Sequence, residues 1–307
     1  MAINKSVVVL GSTASGKSDV AMAAAQVMNL KGSDVRIIAA DAMQVYRRMD
    51  IGTAKPTSDD MTKVRHYGVD LCEPSERFTV ALYMDAVASA RADIGAAGAS
   101  ELIVGGTGLY VTAIVDGLSM PGEWPQIRAE LEADPDTESL FDRLKALDPA
   151  ATEKMEPNNR RRIVRALEVC LGSGQPFSSF GDGVDKFPDT STSLIGIRWT
   201  RDALRTRIAR RVDIMVERGL VDEVRQLLAE PLGLSPTAAQ ALGYKEVIDH
   251  LEGRCTLQQA IDAVVLRTQQ FAIRQERWYR RDPRIQWVDV LSDPVEEVTP
   301  FVLRALA

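Results

Sequence analysis

The chain has 307 residues, 45% of them hydrophobic, and a formal net charge of −6. That length suits two domains, or one large domain with an insertion, and the apolar content is ample for a core. No run approaches the ~18 apolar residues of a membrane span, Met1-Ala2-Ile3-Asn4-Lys5 lacks leader character, and Cys72, Cys170 and Cys255 are too scattered for a disulfide framework or a zinc site.

A reduced, cytoplasmic setting is therefore expected. The acidic balance alone argues against nucleic acid as a partner. The arginines are nevertheless clustered: Arg160, Arg161, Arg162 and Arg165; Arg198, Arg201, Arg205, Arg207, Arg210 and Arg211; Arg267, Arg274, Arg277, Arg280, Arg281 and Arg284. Segregated charge can give an acidic protein a basic face. The competing reading of each cluster is a solvated helix face with ion pairs.

Val7-Val8-Val9-Leu10 predicts a strand, and the alanine-rich run 19–28 predicts a helix. Between them lies Gly11-Ser12-Thr13-Ala14-Ser15-Gly16-Lys17-Ser18, a match to G-x-x-x-x-G-K-[ST]. Such a loop turns backbone N–H groups towards an anion, and the helix N-terminus adds partial positive charge. Lys17 adds a full charge, and Ser18 can hold Mg²⁺. A nucleotide di- or triphosphate is the first ligand to consider.

Residues 35–40 predict a buried strand ending at Asp41, and 69–71 a short one. Residues 78–94 predict a helix, 102–104 a strand closed by Gly105-Gly106-Thr107-Gly108, and 109–115 a helix. Strands alternating with helices indicate a parallel sheet with ligands at the strands' carboxyl ends. Gly11–Ser18, Asp41 and Thr107 should then share one rim. The expected fold is α/β: a P-loop NTPase-like parallel sheet flanked by helices, with an all-helical insertion. We take 119–190 as the insertion, and 1–118 with 191–307 as the catalytic core. Helices are expected at 126–133, 139–147, 150–155 and 159–171, then a mobile connection over 172–189. Beyond it, 193–197 predicts a strand, 201–228, 238–251 and 257–281 helices, and 285–288 a last strand.

From its position alone, Asp41 could assist a metal, cap a helix or act as a base. Its neighbours narrow the choice. The run Asp41-Ala42-Met43-Gln44-Val45-Tyr46-Arg47-Arg48-Met49-Asp50-Ile51-Gly52-Thr53-Ala54-Lys55-Pro56 follows the glycine loop, and Gly105-Gly106-Thr107-Gly108-Leu109-Tyr110 comes later. With Pro157-Asn158-Asn159, Arg165-Ala166-Leu167-Glu168-Val169, 207–211, Ala241-Leu242-Gly243-Tyr244-Lys245 and 274–278, the chain resembles the tRNA dimethylallyltransferase family.

The resemblance implies transfer of a dimethylallyl group from dimethylallyl diphosphate to N6 of the adenosine 3′ of the tRNA anticodon, with Mg²⁺ as cofactor. It implies Asp41 as general base, with Thr107 and Arg211 in the catalytic set. It makes Gly11, Ser12, Thr13, Ala14, Ser15, Gly16, Lys17 and Ser18 the diphosphate cradle. It further implies tRNA contacts at Asp41, Ala42, Met43, Gln44, Thr107, Arg128, Arg161, Arg162, Arg165, Gln240, Gly243, Tyr244, Lys245, Arg274 and Gln275. Without the resemblance Thr107 would read equally well as a helix N-cap.

The sequence departs from the family pattern in places. Ala42 replaces a frequent serine, Arg48 stands where glycine is usual, and Gln240 and Lys245 differ from arginine-rich versions. The zinc-finger extension of eukaryotic members has no counterpart in these 307 residues, so a bacterial-type monomer is expected. Phe271, Trp278, Tyr279 and Trp287 are read as core residues in preference to base-stacking ones. Three other functions compete: an adenylate isopentenyltransferase acting on free AMP, ADP or ATP, a P-loop small-molecule kinase, and an RNA-binding protein without catalysis. The last would need neither Lys17 nor Asp41.

Overall fold

The computed structural model describes residues 5–181, 183–184 and 186–307. The leader reading at Met1–Asn4, and positions Asp182 and Asp185 of the expected connection, lie outside them. The chain divides into two compact units, Met1–Val115 with Asp189–Ala307, and Asp116–Pro188.

The larger unit begins β1 (Ser6–Gly11), α1 (Lys17–Leu30), β2 (Val35–Ala40), α2 (Ser58–Lys63), β3 (His66–Tyr67), α3 (Val80–Ala96), β4 (Ser100–Gly105) and α4 (Gly108–Asp116). The smaller unit contains α5 (Pro125–Ala133), α6 (Thr137–Leu147), α7 (Pro149–Thr152) and α8 (Arg160–Ser173). The larger unit resumes with β5 (Ser193–Arg198), α9 (Arg201–Glu217), α10 (Leu220–Leu228), α11 (Tyr244–Leu251), α12 (Leu257–Tyr279), β6 (Gln286–Asp289) and α13 (Pro294–Leu306).

The strands form a six-stranded sheet in the order β3-β2-β4-β1-β5-β6. Every pairing is parallel. The carboxyl ends of β1, β2 and β4 therefore lie at one edge, carrying the glycine loop, Asp41 and Thr107. Period-two alternation sends β1 side chains to opposite faces. Val8 and Leu10 join Ile38, Ile103, Tyr83, Val87, Tyr110 and Tyr279 in one apolar cluster. Val7 and Val9 join Ile37, Leu102, Ile195, Val20, Ala24, Val298 and Val302 in the other. Both faces are covered, as a parallel sheet requires.

The helical unit has its own core of Leu131, Leu140, Leu144, Ile163, Val164 and Leu167. Glu168 is fully buried within it. Its carboxylate accepts from the Trp124 backbone N–H (2.8 Å) and pairs with Arg165 (3.0 Å) and Arg128 (3.5 Å).

Several expectations change. The short strand expected at 69–71 lies at His66–Tyr67 instead, and Asp70 takes φ 53°, outside any strand conformation. The helix expected over 201–228 breaks at Gly219, whose φ of 96° is left-handed. The one expected at 238–251 forms only from Tyr244. α13 was not expected at all, although Asp293-Pro294 carries a start signal: Asp293 accepts from the Val295 N–H at 2.7 Å, and proline suits the first helical position. Of the four aromatics, Tyr279 is buried in the core, and Trp278 and Trp287 pack against it. Phe271 is half-buried beneath Arg274, whose guanidinium carbon lies 5.7 Å from its ring centre.

Arg48 has φ 61°, the left-handed region that favours glycine. This accounts for glycine at that position in the resembling family. The side chain pairs with Glu73 and Glu230. Arg48→Gly and Arg48→Ala both lose these pairs, but only glycine relaxes the backbone. Arg48→Gly is expected to be the more stable of the two by about 1 kcal/mol. Denaturant midpoints measure this, and the reverse order would contradict it.

Candidate active site

The glycine loop leaves β1 at Gly11 and enters α1 at Gly16. Ala14 (φ 62°) and Gly16 (φ 90°) are both left-handed, which turns the chain back towards the first turn of α1. A side chain at Gly16 would also lie 2.5 Å from Pro294 Cγ, because the start of α13 backs the loop. Two residues from the far side of the chain brace the loop carbonyls. Arg207 Nε donates to Ala14 O (2.8 Å), and Trp199 Nε1 donates to Ser15 O (3.0 Å). The Arg207 guanidinium lies over the Trp199 ring, 4.4 Å from its centre. With these carbonyls held, the backbone of the loop is fixed from behind. The Ser15 hydroxyl is buried and has no hydrogen-bond partner among the described residues.

Lys17 rises from the start of α1, its ammonium 3.4 Å from Ser12 O. Burial, and then the charge of Arg211, lower its pKa to about 8, while Asp41 and Asp19 act in the opposite sense. Burial also lowers the Arg211 pKa, again opposed by Asp41 and Asp19. Arg211 on α9, Lys17 on the loop and Asp41 after β2 thus lie within electrostatic reach of one another.

Asp41 is held as the first residue of a turn. Its Oδ1 accepts from the Met43 N–H (2.9 Å) and the Gln44 N–H (3.4 Å). The Ala42 N–H donates to Thr107 Oγ1 (3.1 Å), and the Thr107 N–H donates to Ala40 O (3.3 Å). Thr107 therefore ties the loop after β4 to the loop after β2. The helix-capping alternative for Thr107 is also partly met, since its carbonyl accepts from Tyr110 and Val111. Below lie Tyr83 and Tyr110, stacked with ring centres 4.1 Å apart, and Tyr279. Burial raises the pKa of all three hydroxyls, with Asp41 adding to the effect, so they stay protonated.

The stretch after Asp41 is braced throughout. Gln44 Nε2 donates to Thr53 O (3.2 Å) and Ala54 O (3.1 Å). Lys55 Nζ, almost fully buried, reaches Tyr46 O (2.7 Å), Asp50 (2.6 Å) and Asp70 (2.7 Å). Glu223 on α10 accepts from the backbone N–H groups of Asp50, Ile51 and Gly52 at 3.0, 2.8 and 3.3 Å, and from the Tyr244 hydroxyl at 2.5 Å.

The residues expected to contact tRNA sort into three groups. Arg161, Arg162, Gln240 and Arg274 are exposed. Arg128, Arg165 and Lys245 are half-buried and already paired, with Glu132 and Glu168, with Glu168, and with Asp249. Gln44, Gly243, Tyr244 and Gln275 lie inside the protein, with Gln44, Tyr244 and Gln275 bonded to protein groups through their side chains. In this structure the side chains of Gln44, Tyr244 and Gln275 brace protein groups. Ala42 and Met43 are partly buried beside Asp41. Sequence reasoning missed Trp199 and Glu223, and took Arg207 only as one of a cluster. Their partners lie 170 or more positions away, so no local pattern marks them.

The site thus combines a parallel sheet, a glycine-rich loop at its carboxyl edge, two buried cations and a rim carboxylate. A family model described as IPP transferase matches residues 44–282. A tRNA dimethylallyltransferase from Thermobifida fusca is 44% identical over 286 residues, covering 92% of this chain and 89% of the relative. One from Streptomyces coelicolor is 44% identical over 305 residues, covering 98% and 94%. The chain belongs to the tRNA dimethylallyltransferase family. The crystal structure of a tRNA isopentenylpyrophosphate transferase from Bacillus halodurans is similar at TM-score 0.69 and 36% identity, covering 99% of this chain and 97% of that one.

The lowered pKa of Lys17 makes a pH prediction. The ammonium is charged below about 8 and neutral above it. An anion prefers the charged form, so affinity for inorganic diphosphate should fall as pH rises through about 8. Calorimetric titration across pH 6.5–9.5 would measure it. A limb that persists in Lys17→Met would contradict the assignment to Lys17.

Proposed function

We propose that this protein transfers the dimethylallyl group of dimethylallyl diphosphate to N6 of the adenosine 3′ of the anticodon in tRNA, acting as a monomer in the cytoplasm. One observation carries the reading: the glycine loop with Lys17 and the Asp41 turn stand at the same carboxyl edge of the parallel sheet, with Arg211 within electrostatic reach of Lys17 and Asp41. Family membership favours tRNA over a free nucleotide as acceptor and prenyl transfer over phosphoryl transfer.

The exocyclic amine of adenine is a poor nucleophile, because its lone pair is delocalised into the ring. Asp41 removes an N6 proton as the N6–C bond forms. The allylic C–O bond breaks, and its electron pair leaves with diphosphate. Lys17, Arg211, the loop amides and the Ser15 hydroxyl stabilise the charge that develops there. The turn holding Asp41, and the Thr107 bond to Ala42, fix the base relative to the loop.

The Ser18 hydroxyl, with the phosphate oxygens of the substrate, offers hard oxygen ligands of the kind Mg²⁺ prefers. Magnesium bound there would supply further charge neutralisation for the leaving group. Among the described residues no group of three or more His, Cys, Asp or Glu could hold a metal.

Arg161 and Arg162 on α8, and Arg274 and Arg277 on α12, are exposed and suited to RNA phosphates. The target base sits in a single-stranded loop and must be turned out to reach a pocket. No helix among the described residues is long and apolar enough to cross a membrane.

Asp41→Asn should retain anticodon stem-loop binding and lower single-turnover transfer by about 10²–10⁴-fold. Near-normal turnover would contradict the role of Asp41. Arg211→Ala should raise KM for dimethylallyl diphosphate while leaving stem-loop affinity unchanged. An effect confined to RNA affinity would contradict its placement on the diphosphate.

A further inference from the structure

Gln275 lies near the C-terminal end of α12, and its side chain is turned inward. The residue is 5% exposed. Its Oε1 accepts from the Thr13 N–H at 2.8 Å, and its Nε2 donates to Gly106 O at 2.8 Å. One amide thus joins the glycine loop to the loop after β4. The fit is close: a side chain on Gly106 would lie 2.4 Å from Gln275 Nε2. The connection continues, since Thr107 follows Gly106, accepts from the Ala42 N–H at 3.1 Å, and Ala42 follows Asp41. On the outer side of the same helix, Arg274 and Arg277 are exposed.

Gln275 satisfies one donor and one acceptor that would otherwise be buried and unpaired. Neither a charged nor an apolar residue of similar size does both. Its Thr13 bond also withdraws one loop amide from the anion and fixes the direction of those that follow. A shift of α12 by even a fraction of an ångström would move Thr13 and Gly106 together.

We propose that Gln275 is a positioning residue that couples the two substrate sites: it sets the glycine loop against the Thr107–Asp41 side, so that occupation of either site alters affinity at the other. This rests on the reading of the glycine loop as the diphosphate site and of the Asp41 side as the RNA site. Such coupling is reciprocal by thermodynamic necessity.

The test uses the full chain, inorganic diphosphate as probe of the loop and an unmodified anticodon stem-loop as probe of the other side. In the wild type, stem-loop binding should change diphosphate affinity by about 5-fold or more. In Gln275→Leu that factor should shrink towards one, and kcat should fall about 10–100-fold with a smaller change in KM for the stem-loop. Gln275→Glu gives a second readout. The ionised carboxylate accepts from Thr13 but cannot donate to Gly106, whereas the protonated form does both. Its activity relative to wild type should therefore rise as pH falls.

Undiminished coupling in Gln275→Leu, absent coupling in the wild type, or a Gln275→Glu profile parallel to wild type would each overturn the proposal. A variant that only melts at lower temperature, with coupling intact, would show Gln275 to be a packing residue and overturn it too. Failure of the underlying reading looks different: the wild type would not bind diphosphate, or Lys17→Met would bind it equally well.

Discussion

Lys17 and Arg211 are buried cations within electrostatic reach of each other and of the carboxylates of Asp41 and Asp19. Burial disfavours both cations, as their lowered pKa values record. Asp41 and Asp19 only partly offset this. Such a site is under electrostatic tension that an anion relieves, and a diphosphate does so more completely than a monoanion. The same arrangement suits a reaction in which negative charge accumulates on the leaving group. The braces behind the loop keep its dipoles aligned without the ligand, so little reorganisation accompanies the reaction.

The acceptor side is built by a different means. The stretch from Asp41 to Lys55 has no regular secondary structure to hold it. Its backbone is fixed by side chains instead: Gln44 across the loop, Lys55 beneath it, and Glu223 from α10 collecting N–H groups of residues 50–52. This rigidity gives the Asp41 carboxylate a fixed direction. A base in a loose loop would spend much of its time out of line with the incoming amine.

How much of this was legible in the sequence depended on distance along the chain. The glycine loop, Asp41 and the closing glycines of β4 were legible because each is a local pattern at a strand end, and a parallel sheet collects strand ends. The strands of the core were legible for the same reason. Trp199 and Glu223 were not recoverable as site residues, and Arg207 only as part of a cluster: each meets the site through hydrogen bonds to residues more than 170 positions away. The resemblance marked Tyr244 and Gln275 as positions that matter, but a motif does not record which way a side chain points, and the bonds of Tyr244 to Glu223 and of Gln275 to Thr13 and Gly106 were not legible. α13 left a readable start signal, Asp293-Pro294, but it begins just after a strand and carries a second proline, Pro300, inside it.

The central claim is that the glycine loop holds a prenyl donor's diphosphate while an RNA adenine attacks from the Asp41 side. The most direct measurement incubates the protein and Mg²⁺ with labelled dimethylallyl diphosphate and either an anticodon stem-loop or AMP. The account predicts label on the stem-loop adenosine, with one diphosphate released per transfer and none of the label on AMP. Label on AMP alone, or consumption of ATP without diphosphate release from the prenyl donor, would contradict it.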